Sequence, residues 1–337
     1  MIYKPKFSIV IPCYNCEKYI SYCLDSIINQ NYDNIEVLCL DDCSVDKTCQ
    51  IISEYAKKDE RIHLIKNNIN QGPGILRNLG MKKANGDYLL FSDSDDWFED
   101  GLFLKLAEVI KKYPDINIIE FRFNLAQNEQ EKMEANWLNR GESGIRQIDD
   151  EDIMLATGLV NKCWKKSFML KYNLRCCITN RSGEEIPCHI CAFLLNKEFY
   201  YLNKVGYNWR IVPNSLSHDP KKDREFLHGV WVMLDELKSE LIRLDIYHEK
   251  NYLYYCATIL NWHINEKFSF SKYYKDYYIA VRNFMKQYQT YLETNKSFKK
   301  IIKRPYIVMY LSKIIKQIKA FIKRFIGNLT INKRIVK

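Results

Sequence analysis

Nowhere in the 337 residues do eighteen apolar residues follow one another, and a membrane-spanning helix needs about 20. No spanning segment is therefore expected. A secretory leader is not expected either: the apolar stretch 7–12 is shorter than the hydrophobic part of such a signal. Glycine and proline are sparse, at 12 and 8 residues, which excludes collagen-like and low-complexity chains. Acidic residues are missing altogether from 296–337, although that stretch holds thirteen of the 51 Lys and Arg. The remaining residues, 1–295, carry 38 basic side chains against 41 acidic ones. The main body is thus no basic nucleic-acid binder, and no nucleic-acid partner is expected.

Hydrophobic residues make up 47 % of the chain and aromatic ones 14 %, enough for a sizeable core without disulfides. Six of the twelve cysteines lie in the first fifty residues. Without export, free thiols are the default. Cys13-x-x-Cys16 and Cys188-x-x-Cys191 have the spacing of zinc or redox pairs. Each pair abuts a different kind of element, so zinc is the weaker reading.

Short apolar runs alternate with amphipathic stretches over the first 120 residues. The runs 7–12, 35–40, 62–65, 88–91 and 116–121 predict strands. The spacing over 17–30, 46–57, 74–83 and 100–112 predicts helices, with Asp46 as a candidate N-cap. This alternation predicts an α/β fold with a parallel, doubly wound sheet. Residues 124–150 read as loop and 150–173 as helix. Another helix is predicted over 187–196, short strands over 199–202 and 207–211, and helices over 222–290. In the tail, Leu311, Ile314, Ile315, Ile318, Phe321, Ile322, Phe325 and Ile326 fall within an arc of about 140° on a helix. Lys313, Lys316, Lys319, Lys323 and Arg324 occupy the opposite arc. That is a cationic amphipathic helix of the kind that rests on anionic lipid, although a helix docked on its own domain has the same stripe.

In open parallel sheets ligands bind beyond the carboxyl ends of the strands. The loops there carry Pro12-Cys13-Tyr14-Asn15, then Asp41-Asp42, then Asn67 to Gly74 leading to Arg77, then Asp93-Ser94-Asp95-Asp96-Trp97. Three carboxylates within four residues repel one another unless a cation offsets them. Hard divalent ions take such oxygen ligands together with substrate phosphates. The glycine of a calcium-binding hand is absent. The plainer reading is a solvated turn capping the segment at Trp97.

These motifs carry a specific resemblance. Ser8-Ile-Val-Ile-Pro-Cys-Tyr-Asn15, Asp41-Asp-Cys-Ser-Val-Asp46, Asn70-Gln-Gly-Pro-Gly74 with Arg77-Asn78, Gly86-Asp-Tyr88 and Asp93-Ser-Asp-Asp-Trp97 follow the order and spacing of the family-two glycosyltransferases. The resemblance is tight over 5–120 and loose over 150–220. It implies the GT-A fold, a Rossmann-like, mostly parallel sheet flanked by helices, with a helical C-terminal region. It further implies inverting transfer of a hexose or N-acetylhexosamine from a nucleotide-diphosphate sugar, UDP by analogy, to a glycan hydroxyl. Pro12, Tyr14 and Asp42 would then hold base and ribose, and Asn15 and Ser94 fall within the same donor-binding motifs. Arg77 would reach the uracil side or the diphosphate. Asp93 would face ribose or metal-bound water, and Asp95 would bind Mn2+ or Mg2+ directly.

The family's base is an Asp after a Glu at a helix start. Here Glu185 stands in that place, with Glu184 as the alternative. Arg210 would clamp a phosphate, and His218 would complete the metal shell. Trp164 and Trp209 would either stack on a sugar or pack in the core. Two other readings compete: a sugar nucleotidyltransferase, which normally needs a glycine-rich loop absent after the first strand, and a non-catalytic module of the same fold. The expected organisation is a donor and metal half over 1–120, an acceptor half over 121–220, a helical region over 221–295 and a membrane-associating tail over 296–337. Residues 305–326 would meet an anionic membrane. The expected place is the cytoplasmic face of the inner membrane, on lipid-linked or other glycans of surface polysaccharide, lipooligosaccharide or glycoprotein assembly.

Overall fold

The fold is that of a computed structural model, which describes residues 4–155, 158–178, 183–212, 223–263 and 274–288. Strand β1 (Phe7–Cys13) is buried at every position but Pro12, because it lies between β2 (Ile35–Asp41) and β4 (Tyr88–Phe91), parallel to both. Burial on two faces explains why these strands read as continuous apolar runs rather than alternating ones. Strand β3 (Ile62–Lys66) closes that side, parallel to β2. Helices α1 (Ile20–Ile28), α2 (Thr48–Lys58) and α3 (Pro73–Lys83) make the crossovers. Helix α3 lies so close on β1 that a Cβ at Gly80 would stand 2.3 Å from the Val10 side chain.

Beyond β4 come β5 (Trp97–Phe98), α4 (Leu102–Lys112), β6 (Ile118–Ala126), β7 (Lys132–Glu134), β8 (Gly144–Gln147), α5 (Asp150–Leu155), β9 (Lys162–Lys165), α6 (Lys166–Lys171), α7 (Ile186–Leu195) and β10 (Glu198–Arg210). The ten-stranded sheet runs β3-β2-β1-β4-β9-β6-β10-β5, with β7 on β6 and β8 on β10. Strand β9 runs against both its neighbours, whereas β6 and β10 are parallel. The expected α/β class with a mostly parallel sheet is thus found. Phe7, Phe98, Phe103, Phe121 and Tyr207 fill the core between sheet and helices.

Three local expectations are corrected. The stretch 150–173 is not one helix but α5, β9 and α6. Lys162 hides the strand in the sequence: its buried ammonium donates to Asn161 Oδ1 (2.8 Å) and Gly158 O (2.9 Å), while the residue type suggests a surface. The stretch 124–150 is not plain loop, since β6 runs on to Ala126 and β7 and β8 form edges there. The two short strands near the end of the sheet are one long β10, whose register shifts between Leu202 and Tyr207 against β6.

The chain divides into two compact units, residues 1–219 with 228–246 and residues 220–227 with 247–337. Helix α8 (Asp223–Arg243) gives the first unit the buried Val230, Met233, Leu234, Leu237 and Leu241. The second contains α9 (Glu249–Trp262) and α10 (Tyr274–Gln287), which pack on one another. Among the described residues no helix is long and apolar enough to cross a membrane. The tail from 289 onward, including 305–326, and His218 lie outside the described residues.

Candidate active site at the carboxyl ends of the strands

The loops after β1 and β2 are tied to each other by side chains. Asn15, in the left-handed backbone region at φ 49°, accepts from Val45 N (2.9 Å) and donates its own N–H to Ser44 Oγ (3.0 Å). Asparagine tolerates that conformation better than most residues. Asp46 accepts from Glu17 N (3.1 Å) and Thr48 N (2.9 Å), so it serves the start of α2 from one residue further out than a direct N-cap. Pro12 sits at the end of β1, and Tyr14 beside it is half exposed. The Ser94 side chain lies beside the buried Cys16 thiol and helps to lower its pKa. All twelve cysteines are free thiols.

Asp42 is buried and turned onto the next loop. Its carboxylate accepts from Gln71 N (2.9 Å), Gly72 N (2.7 Å) and Asn67 Nδ2 (3.3 Å). It thereby shapes the entry to α3, on which Arg77 stands. The Arg77 guanidinium is buried, yet it reaches three distant acids. Nη2 donates to Asp93 Oδ1 at 2.5 Å, and Nη1 donates to Glu184 Oε1 and lies 3.8 Å from Glu185 Oε2. Four residues singled out from sequence, Arg77, Asp93, Glu184 and Glu185, therefore form one cluster. Gly74 permits it: a Cβ there would stand 2.0 Å from Cys177 O and 3.1 Å from Glu184 Cγ.

The carboxylates differ in what surrounds them. Burial, then the neighbouring Glu184, pushes Glu185 up to about 8, against the pull of Arg77. Burial and Asp93 raise Asp95 to about 6. Asp96 is buried and held well above the usual carboxylate range by desolvation and by Asp95. Arg210 holds its guanidinium against aromatic rings. It packs at 4.5 Å over the Trp97 ring, with Tyr19 and Tyr22 at 5.2 and 5.7 Å, and donates from Nε to Asp95 O (2.7 Å). Trp164 is a core residue whose Nε1 donates to Leu159 O (3.2 Å), whereas Trp209 is half exposed.

The sequence reading gave no role to Tyr207. Its hydroxyl donates to Asp96 Oδ2 (2.7 Å) and accepts from Asp93 N (3.0 Å). The nearest signal was its place three residues before Arg210 at a strand end. Among the described residues no group of three or more His, Cys, Asp or Glu is arranged around one metal position. Asp93 and Asp95 still fit a hard divalent cation in the way that needs one or two carboxylates, with phosphate oxygens and water as the other ligands. The raised Asp95 carboxyl beside Asp93 is the excess of negative charge that such an ion would offset.

Residues 8–164 match the family described as Glycosyl transferase family 2. Through this stretch the chain is similar to glycosyl transferase family 2. Similar proteins include the glycosyltransferase GlyA of Streptococcus pneumoniae serotype 4, 32 % identical over 231 residues, covering 64 % of this chain and 32 % of GlyA. The uncharacterized glycosyltransferase EpsJ of Bacillus subtilis is 28 % identical over 224 residues, 65 % of this chain and 64 % of EpsJ. The chain thus spans less than two thirds of either of these curated relatives. A crystal structure of Staphylococcus aureus TarS 1-349 in complex with UDP-GlcNAc superposes with a TM-score of 0.67 at 22 % identity, over 83 % of this chain and 81 % of that one. The shared architecture is the expected GT-A fold.

Proposed function

We propose that the chain transfers a hexose or N-acetylhexosamine, with inversion, from a UDP-sugar to a hydroxyl of a surface-glycan acceptor. The observation that carries this reading is the Arg77 bridge, which brings Asp93, at the end of β4, to Glu184 and Glu185, at the start of α7. A donor-side acid and a candidate base are thereby held by one side chain. The relatives support the class: they include the poly(ribitol-phosphate) beta-N-acetylglucosaminyltransferase TarS of Staphylococcus aureus, 36 % identical over 121 residues, or 35 % of this chain and 21 % of TarS. The TarS structure with UDP-GlcNAc supports UDP as the nucleotide to try first.

In this reaction the acceptor oxygen forms a bond to the anomeric carbon as the bond to the diphosphate oxygen breaks. The acceptor proton passes to Glu185, and the nucleoside diphosphate leaves with the bonding pair. A carboxylate tuned toward neutral pH is suited to take that proton, a contribution of roughly 10²–10⁴ in rate. Arg77 holds Glu184 and so fixes the start of α7 on which Glu185 stands. Asp93 and Asp95 would hold Mn2+ or Mg2+, which supplies Lewis-acid neutralisation of the leaving diphosphate. Tyr14, exposed beside β1, offers a ring to the base. The basic, amphipathic pattern of 305–326 supports a peripheral place on an anionic membrane and hence a lipid-linked or membrane-anchored acceptor.

The test is a screen of UDP- and GDP-sugars for hydrolysis and thermal shift, with manganese and with chelator. Manganese-dependent release of UDP from one UDP-sugar, lost in Glu185→Gln with donor binding kept, is the expected result. Release of pyrophosphate from a sugar phosphate and a nucleoside triphosphate would assign a nucleotidyltransferase instead.

A further inference from the structure

The Asp93–Asp96 loop is held from the far end of the sheet. Strand β10 ends beside it, with Tyr207 paired to Phe98 and Asn208 to Trp97. From this strand the loop receives four hydrogen bonds in four residues. The Tyr207 hydroxyl donates to Asp96 Oδ2 (2.7 Å) and accepts from Asp93 N (3.0 Å). Arg210 N donates to Asp96 Oδ1 (2.7 Å), and Arg210 Nε donates to Asp95 O (2.7 Å). Asp96 therefore has both carboxylate oxygens engaged within the protein. Its side chain faces the fold, while Asp93 keeps its Oδ1 on Arg77.

The Arg210 guanidinium is itself immobilised. Trp97 lies under it at 4.5 Å and Tyr19 and Tyr22 flank it. Trp97 is also packed edge-on by Tyr22, with centroids 5.2 Å apart. Outside the loop, Glu129 Oε1 lies 3.7 Å from Arg210 Nη2. A cation stacked on aromatic rings and bonded to a carbonyl acts as a strut. This is a different role from a mobile phosphate clamp.

We propose that Tyr207 and Arg210 are positioning residues which set the aim of Asp93 and Asp95, with Asp96 as the buried anchor between them. The inference rests on the proposed donor site for its consequence in binding, and on hydrogen bonds alone for its consequence in the loop. Removing the Tyr207 hydroxyl leaves Asp96 Oδ2 and Asp93 N without that partner in a buried place. Such a loss opens the loop by a factor on the order of 10 to 100.

Two measurements on the full chain test it. Amide hydrogen exchange in the absence of ligand should be faster by about tenfold or more across 92–97 in Tyr207→Phe and Arg210→Ala, while the amides of β1 and β2 keep the wild-type rates. Titration calorimetry with UDP in manganese should show weaker binding in both variants, and Arg210→Lys, which keeps a donor but loses the planar stack, should recover part of it. Unchanged exchange over 92–97 in both variants overturns the proposal, and so does weaker UDP binding with Arg210→Lys no better than Arg210→Ala. Failure of the wild-type chain to bind UDP would sink the donor reading, and the exchange rates would still decide the loop.

Discussion

Arg77 donates to Glu184 inside the protein, with both side chains only 5 % exposed, and the two residues are 107 positions apart. The contact joins α3 to the segment that starts α7, so one ion pair couples the β1–β4 half of the sheet to the candidate base. An unpaired buried charge is costly. Arg77→Met is expected to destabilise the fold by about 3–5 kcal/mol, because Glu184 and Asp93 lose their shared partner. Urea unfolding of this variant and of Glu184→Gln checks it. A loss below about 1 kcal/mol for Arg77→Met would place the pair in the class of weak surface bridges.

Much of this arrangement was legible in the sequence, because each motif sits in a loop that follows a mostly apolar strand. Strand β4 and its acids Asp93, Asp95 and Asp96 were visible for that reason. Strand β9 was not. Its four residues, Lys-Cys-Trp-Lys, show neither a long apolar run nor a clear alternation, and its buried Lys162 mimics a surface position. Side-chain direction was equally hidden. Nothing local shows that Asp42 turns onto Gln71 and Gly72, or that Arg210 stacks on Trp97, since both partners are set by tertiary packing.

Gly74 gives a second test of the same junction. A methyl group there would meet the Cys177 carbonyl oxygen at 2.0 Å, and backbone cannot rotate away as a side chain can. Gly74→Ala is expected to cost about 1–3 kcal/mol and to displace Cys177 and Glu184. Thermal unfolding together with UDP-sugar turnover measures both effects. Full activity at wild-type stability would show that the two segments part more easily than this spacing allows.

Glu185 dictates a pH dependence. Burial and Glu184 lift its carboxyl from an ordinary 4.5 to about 8. A raised acid binds its proton more tightly in the folded chain than in the unfolded one. Its contribution to stability is thus fully present below pH 4.5 and is lost as pH rises through about 8. Activity runs the other way, because a base must be ionised to take a proton. Turnover is expected to climb with pH to a plateau just above 8, and in Glu185→Gln both the climb and most of the turnover should vanish. A wild-type profile flat from pH 6 to 9 would remove Glu185 from the role of base.

The basic tail makes the last prediction, and it concerns a surface rather than a pocket. Residues 296–337 carry thirteen Lys and Arg without one acid, and each such charge near an anionic leaflet contributes about 1 kcal/mol. The full chain is therefore expected to sediment with vesicles containing phosphatidylglycerol. Binding should fall steeply with salt, because the attraction acts within a Debye length. Vesicles of phosphatidylcholine alone should hold it far less, and deletion of 305–337 should leave the protein in the supernatant of both. If the truncated chain sediments as the full one does, the cationic stripe does not anchor it, and the membrane contact must be sought on the folded units.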